Sequence, residues 1–262
     1  MTKPTVIAHR GFSAIAPENT LPAFQNAIDA GADMIEFDIR LTRDQQFVVI
    51  HDATLERTTN GRGIVENHTL SELQMLDAGS WFGREFSGTV LPSLSEALAL
   101  CQNRILVNIE VKTEIRDALR LDQLADLVGT QVEALRATRS VVISSYTRSI
   151  ITSLRDRHGH LTTALLSDQP STHEAITKLA CVSGATALHI PHRLASSSLA
   201  GRTQQAGLLS AVHTVNETTD MEKLIGFGFD ALFTDRPDRM RAYVDRQSTS
   251  KETTWSRYLS IA

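Results

Sequence analysis

A chain of 262 residues, 42% hydrophobic and 21% charged, has the composition of an ordinary globular protein. Its net charge of -4 offers no overall basic face for a nucleic acid, and no run nears the roughly 18 apolar residues that span a bilayer. The first residues lack the apolar core of a secretory signal. The two distant cysteines, Cys101 and Cys181, sit in apolar helical stretches and read as reduced, buried thiols, so the cytoplasm is the expected compartment.

In chain order, short runs rich in Val, Ile and Leu predict strands at 5–9, 34–38, 105–111, 141–145, 161–166, 187–191, 208–215 and 231–234. Apolar residues near every third or fourth position predict helices at 21–30, 94–101, 119–135, 149–157, 173–182, 195–206, 219–226 and 237–244. Eight strands, each followed by a helix, is the count of an α/β (β/α)8 TIM barrel, whose strand–helix loops at one end carry the chemistry. Thr20 can cap the first helix with Pro22 in its first turn, and Asp235 can cap the last with Pro237 just inside. Gly31 and Gly207 follow helices where a left-handed residue is wanted.

Two segments break the alternation. The run 47–51 follows the second strand too closely for a parallel crossover, so it should fold back as an antiparallel hairpin. Counting outward from that turn brings His51 roughly opposite Asp38. The stretch 52–91 is glycine-rich with one helical pattern at 71–76, and an insertion of that size reads as a lid or substrate wall. One barrel domain is expected over 1–246, with 247–262 as a polar, peripheral tail whose Trp255 and Tyr258 could pack it down or serve an interface.

The strand ends hold the reactive residues. His9-Arg10-Gly11 closes the first strand; a lone histidine there is more often structural, but the turn glycine beside Arg10 lets backbone approach a ligand. Glu36 and Asp38 lie two apart on the second strand and so share a face, while Ile35, Phe37 and Ile39 take the other. Two carboxylates side by side in a barrel interior are costly unless protonated, paired or holding a cation. Asn108, Glu110 and Lys112 repeat the pattern on the third strand, making Glu110 a third carboxylate. Such an all-oxygen site suits one hard divalent cation, Mg²⁺ or Ca²⁺, rather than zinc. With His9 and His51 for proton transfer and Arg10 and Lys112 to meet anionic oxygens, the set fits phosphoester hydrolysis.

These residues fall in motifs that together resemble the glycerophosphodiester phosphodiesterase family: His9-Arg10-Gly11, Pro17-Glu18-Asn19-Thr20, Glu36-x-Asp38, His51-Asp52, Arg57-Thr58-Thr59-Asn60-Gly61-x-Gly63, Pro92-Ser93-Leu94-x-Glu96, Asn108-x-Glu110-x-Lys112 and Thr234-Asp235-Arg236-Pro237. The resemblance runs from His9 to about Asp238. It implies a TIM barrel that hydrolyses small glycerophosphodiesters, such as glycerophosphocholine, to glycerol 3-phosphate and an alcohol. It further implies Glu36, Asp38 and Glu110 as metal ligands, His9 and His51 as general acid and base, and Arg10 and Lys112 on the phosphate. The glycerol 2-hydroxyl would attack phosphorus to give a cyclic phosphate that water then opens.

The sequence departs from the family pattern at His213, where a Trp often precedes Thr-Val-Asn; His213 is counted with the substrate-binding residues. Tyr146 stands where Phe is common, and Gln45-Gln46 replaces the usual turn pair. His189 and His192 are read chiefly as ordinary loop histidines, with reach to the site the lesser reading. A lysophospholipase D or sphingomyelinase D-like enzyme is the second enzymatic reading; it needs an apolar entrance, for which Trp81, Phe82 and Phe86 are the candidates. A non-catalytic barrel that binds phosphodiesters is the third, disfavoured by two histidines that binding does not require. Oligomeric state, including a homo-oligomer, is left open.

Overall fold

The computed structural model describes residues 3–168, 171–247 and 252–261. Nine strands form one sheet: β1 (Thr5–His9), β2 (Met34–Leu41), β3 (Phe47–Val49), β4 (Leu106–Val111), β5 (Val141–Ser145), β6 (Thr162–Leu166), β7 (Ala187–Pro191), β8 (Leu209–His213) and β9 (Ala231–Thr234). The order β1-β9-β8-β7-β6-β5-β4-β2 is parallel throughout, and β1 also pairs with β2, so eight strands close into the expected barrel. The ninth, β3, pairs antiparallel to β2 as the short connection requires.

Helices α1 (Leu21–Asp29), α2 (Leu70–Leu73), α3 (Leu94–Cys101), α4 (Ala118–Ala134), α5 (Arg148–Arg157), α6 (His173–Ser183), α7 (Ser197–Gln205), α8 (Thr218–Gly226), α9 (Pro237–Gln247) and α10 (Thr254–Ile261) complete the chain. Among the described residues no helix is long and apolar enough to cross a membrane. Thr20 caps α1 as expected, and Gly31 and Gly207 adopt φ of 74° and 71°. The start of α7 lies later than its periodicity suggests, because Ser196 accepts a hydrogen bond from Leu199 N and sets the first turn there.

Alternation sorts each strand into two faces. Outward residues such as Ile35, Phe37, Ile109 and Ile143 pack beneath the helices. Inward residues Ile7, Met34, Val142, Ala164, Ala187, Ala211, Ala231 and Phe233 form a separate cluster with Trp255 and Leu259 of α10. Four alanines leave room at the barrel floor, and the Trp255 ring, fully buried, fills it.

The described part of the tail, 252–261, is therefore packed down by Trp255 rather than peripheral. Its backbone is tied to the barrel by Lys3 N to Glu252 O at 3.2 Å and Trp255 N to Thr5 Oγ1 at 3.3 Å. The side chain of Tyr258 lies outside the described residues. Two further expectations are corrected. Cys101 is buried and free, but Cys181, also free, is exposed, because the buried stripe of α6 runs through Ile176, Thr177, Ala180 and Ser183 and misses it. Asp235 does not serve as a helix cap; its carboxylate is engaged by His9 instead.

The segment 52–91 builds a small core of its own from Leu55, Val65, Leu73, Ala78 and Leu91 with Val48 and Ile50 of the hairpin. A reciprocal Thr69/Glu72 box starts α2 one residue before the predicted pattern. Trp81 and Phe86 each stack edge to face on Phe82; Phe86 packs against the main core, while Trp81 stays 42% exposed.

Candidate active site

Strand register alone brings the carboxylates together. His9 stands beside Glu36 in the β1–β2 pairing, and Asp38 stands beside Glu110 in the β2–β4 pairing. Glu36, Asp38 and Glu110 each offer an oxygen within 4.8 Å of the others, and all three residues are buried. Glu36 Oε1 has no hydrogen-bond partner among the described residues. A buried, unpartnered carboxylate oxygen facing two more carboxylates makes a group that could hold a metal ion.

The electrostatics describe the same demand. Burial and the Asp38 charge push the Glu36 carboxyl up to about 8. Burial would raise Asp38 as well, but Lys112, Arg10 and His51 more than offset it and hold it down to about 2. Glu110 is raised by burial and by Asp38, against the pull of Lys112. Lys112 Nζ lies 2.6 Å from Glu110 Oε1 and 3.4 Å from Asp38 Oδ1.

The turn after β1 is shaped around this cluster. Arg10 takes φ of 56°, which aims its backbone N at Glu36 Oε2, 2.9 Å away. Gly11 follows at φ of 82°, and a Cβ there would fall 2.7 Å from the Ala23 carbonyl carbon, so only glycine lets α1 approach so closely. The Arg10 guanidinium donates to Glu18 Oε1 at 2.7 Å and lies 3.4 Å from Asp38 Oδ2. Asn19 clasps Asp38 from both ends: its Nδ2 donates to Asp38 Oδ2 at 2.9 Å, and its Oδ1 accepts from Asp38 N at 3.2 Å.

Each histidine has a carboxylate behind it. His9 Nδ1 meets Asp235 Oδ1 at 2.8 Å, and Asp235 is fixed by Ser13 Oγ and by Asn216 Nδ2 at 2.7 Å. His51 Nδ1 meets Asp52 Oδ1 at 2.6 Å. The hairpin register is one residue off the expected one: Ile50 N donates to Asp38 O, so Ile50 stands across from Asp38 and His51 follows at the barrel mouth. For His9, burial works against the charged form, but the Asp235 hydrogen bond and the Glu36 charge more than compensate and raise its pKa. For His51, burial, aided by Arg10 and Lys112, lowers it.

His9, His51, Arg10, Lys112 and the carboxylates Glu36 and Glu110 line one pit of about 80 Å³, with Tyr146 and His213 in its wall. A wider cleft of about 430 Å³, lined by Glu18, Asn216, Arg236 and Arg239, adjoins it through His9 and Arg10. All eight residues singled out in the sequence thus converge. His189 does not join them: it is buried deeper in the barrel against Phe233 and Trp255, while His192 sits outside near Asp220. The supporting residues Glu18, Asn19, Asp52, Arg57, Asn216 and Asp235 carry no role that sequence pattern alone assigns. All six lie within the family motifs quoted above, which mark their positions but not their contacts.

The pattern of the Glycerophosphoryl diester phosphodiesterase family matches residues 9–239. A glycerophosphodiester phosphodiesterase of Caldanaerobacter subterraneus subsp. tengcongensis is 35% identical over 239 residues, covering 91% of this chain and 96% of its own. One from Bacillus altitudinis is 33% identical over 250 residues, again covering 91% and 96%. Among solved structures, an Oleispira antarctica phosphodiesterase in complex with the product sn-glycerol-3-phosphate superposes with a TM-score of 0.83 at 28% identity, covering 93% of this chain and 97% of that one.

Proposed function

Because the chain belongs to the Glycerophosphoryl diester phosphodiesterase family, we propose that it hydrolyses glycerophosphodiesters to glycerol 3-phosphate and an alcohol, using one divalent cation and two histidines. The observation that carries this reading is the pit itself, where two carboxylate-backed histidines face two cationic side chains across a buried carboxylate triad.

Glu36, Asp38 and Glu110 would hold Mg²⁺ or Ca²⁺, and the unpartnered Glu36 oxygen supports that fit. The bound cation supplies neutralisation of phosphate charge as phosphorus is attacked. Arg10 and Lys112 bind the non-bridging phosphate oxygens and orient the ester. His213, kept neutral by burial and by the positive charge of His9, Lys112 and Arg193 with a pKa pushed down to about 3, has a buried Nε2 without a partner among the described residues; we assign it to substrate contact in the wall.

The lowered His51 suits a base and the raised His9 an acid. His51 takes the proton of the glycerol 2-hydroxyl as its oxygen bonds to phosphorus, and His9 gives a proton to the departing alkoxide as the other P–O bond breaks. In the second half the roles reverse: water adds to the cyclic phosphate, His9 takes its proton, and His51 returns one to the 2-oxygen. Two free thiols on a chain of this kind fit a reducing compartment, and we place the protein in the cytoplasm.

The test is glycerol 3-phosphate release from glycerophosphocholine, glycerophosphoethanolamine and glycerophosphoinositol, with lysophosphatidylcholine beside them, under Mg²⁺ and under Ca²⁺. Turnover of at least one glycerophosphodiester and its loss in His9→Ala and His51→Ala support the reading. Turnover of lysophosphatidylcholine alone would replace it.

A further inference from the structure

We propose that Arg57, in the insertion, is a positioning residue for this hydrolysis: its one guanidinium sets both the phosphate-binding Arg10 and the proton-transferring His51. The inference rests on the roles given to those two residues above. Arg57 Nη1 and Nη2 each donate to Glu18 at 2.8 Å, a bidentate pair. The same group donates through Nε to Asp52 Oδ2 at 2.6 Å and through Nη2 to Asp52 Oδ1 at 3.0 Å. Both carboxylates are then spent on the site: Glu18 Oε1 accepts from Arg10 Nη1 at 2.7 Å, and Asp52 Oδ1 meets His51 Nδ1 at 2.6 Å.

The result is a continuous row of hydrogen-bonded groups, Arg10–Glu18–Arg57–Asp52–His51, with Arg57 at its centre. An exposed ion pair usually contributes little, but a planar fork that is doubly bidentate within a network is the exception. Lysine cannot reproduce it, since a single ammonium cannot present parallel N–H pairs to two carboxylates at once. The backbone around Arg57 is itself fixed: Leu55 is buried in the insertion's own core, and Thr59 Oγ1 donates to Leu55 O at 2.7 Å. The guanidinium therefore carries the placement of the insertion into the site. Without it, Glu18 and Asp52 would be left as facing carboxylates with no cation between them, and both Arg10 and His51 would lose the group that orients their partner.

The experiment compares Arg57→Ala and Arg57→Lys with the wild type for glycerophosphodiester turnover, Mg²⁺ or Ca²⁺ binding, and melting temperature. Arg57→Ala is expected to lose ~10–100-fold in kcat, the scale of a misplaced catalytic group, while metal affinity stays at the wild-type value because Glu36, Asp38 and Glu110 are untouched. Added guanidinium ion should restore part of the lost rate. In a Glu18→Gln/Asp52→Asn background the same substitution should cost far less than in the wild type, because residues acting as one network are not additive. A folded Arg57→Ala protein with wild-type kcat overturns the proposal. So does a loss that guanidinium leaves unchanged and that is equally large in both backgrounds. If Arg57→Ala does not fold, Arg57→Lys decides: a folded lysine variant with full kcat overturns it, and a reduced kcat supports it. Wild-type protein inactive on every glycerophosphodiester would sink the functional reading instead. With the wild type active and His51→Ala inactive, the Arg57 variants report on Arg57 alone.

Discussion

His9 and Asp235 stand 226 positions apart in the chain and meet at 2.8 Å, Nδ1 against Oδ1, where β1 pairs with β9. Asp235 is held from its other side by Asn216, whose Oδ1 also accepts from Asp235 N at 2.9 Å. With its pKa held down to about 2, the Asp235 carboxylate is ionised and can only accept, which favours a proton on His9 Nδ1. Asp235→Ala is expected to lower kcat by more than ~10-fold but by no more than the ~10²–10⁴-fold cost of removing the histidine itself. Steady-state kinetics on both variants check this; wild-type kcat in folded Asp235→Ala would show that His9 needs no such partner.

The Glu36 carboxyl, pushed up to about 8 by burial and by the Asp38 charge, is mostly protonated at neutral pH without metal. A cation requires it ionised. Binding of Mg²⁺ or Ca²⁺ at pH 7 should therefore release close to one proton, and affinity should rise with pH until about 8 and then level. Calorimetric titration in two buffers of different ionisation enthalpy reads the proton directly. EDTA should abolish turnover and added cation restore it; hydrolysis insensitive to EDTA would remove the metal from the reaction.

Trp255 fills the barrel floor, fully buried among Ile7, Met34, Ala187 and Ala231. Trp255→Ala is expected to cost roughly 3–5 kcal/mol, the usual range for emptying a large aromatic site. Urea or thermal unfolding measures this. A loss below about 1 kcal/mol would mean that the floor collapses around the gap or that the tail adds little.

His189, buried in the interior with its pKa pushed down to about 3 by burial and by nearby His213, makes stability depend on pH. The unfolded chain binds this proton near 6.5, whereas the native chain binds it only near 3. Stability should thus fall as pH drops below about 6.5 and stop falling from this cause below about 3. His189→Leu should flatten that acid limb by at most ~1.4 kcal/mol per pH unit. Equal slopes in the two proteins would exclude His189 as the source.

The parts legible in the sequence were those set by local pattern. Barrel strands buried on both faces read as Val/Ile runs, which is why Thr5–His9, Val141–Ser145, Ala187–Pro191 and Ala231–Thr234 end where the pattern ends. Glu36, Asp38 and Glu110 follow from strand alternation, since residues two apart must share a face. What escaped was non-local. Nothing near Asp235 announces that it serves His9; a proline two residues on makes it look like a cap. The polar stretch before Trp255 hides a ring that only the four small interior alanines call for. The hairpin places His51 one residue past Asp38's partner, because Ile50 takes that position and turns inward to the insertion's core.

The seam between β1 and β9 joins parts of the site that lie at opposite ends of the chain. The three carboxylates belong to β2 and β4, neighbours contributed by the first half of the chain. His9 acquires Asp235 only when the last strand docks on the first. A refolding intermediate with the early strands assembled and the ring still open would already capture a cation but would have no oriented His9. In refolding, metal uptake should then precede the return of turnover, and the lag between them would clock barrel closure.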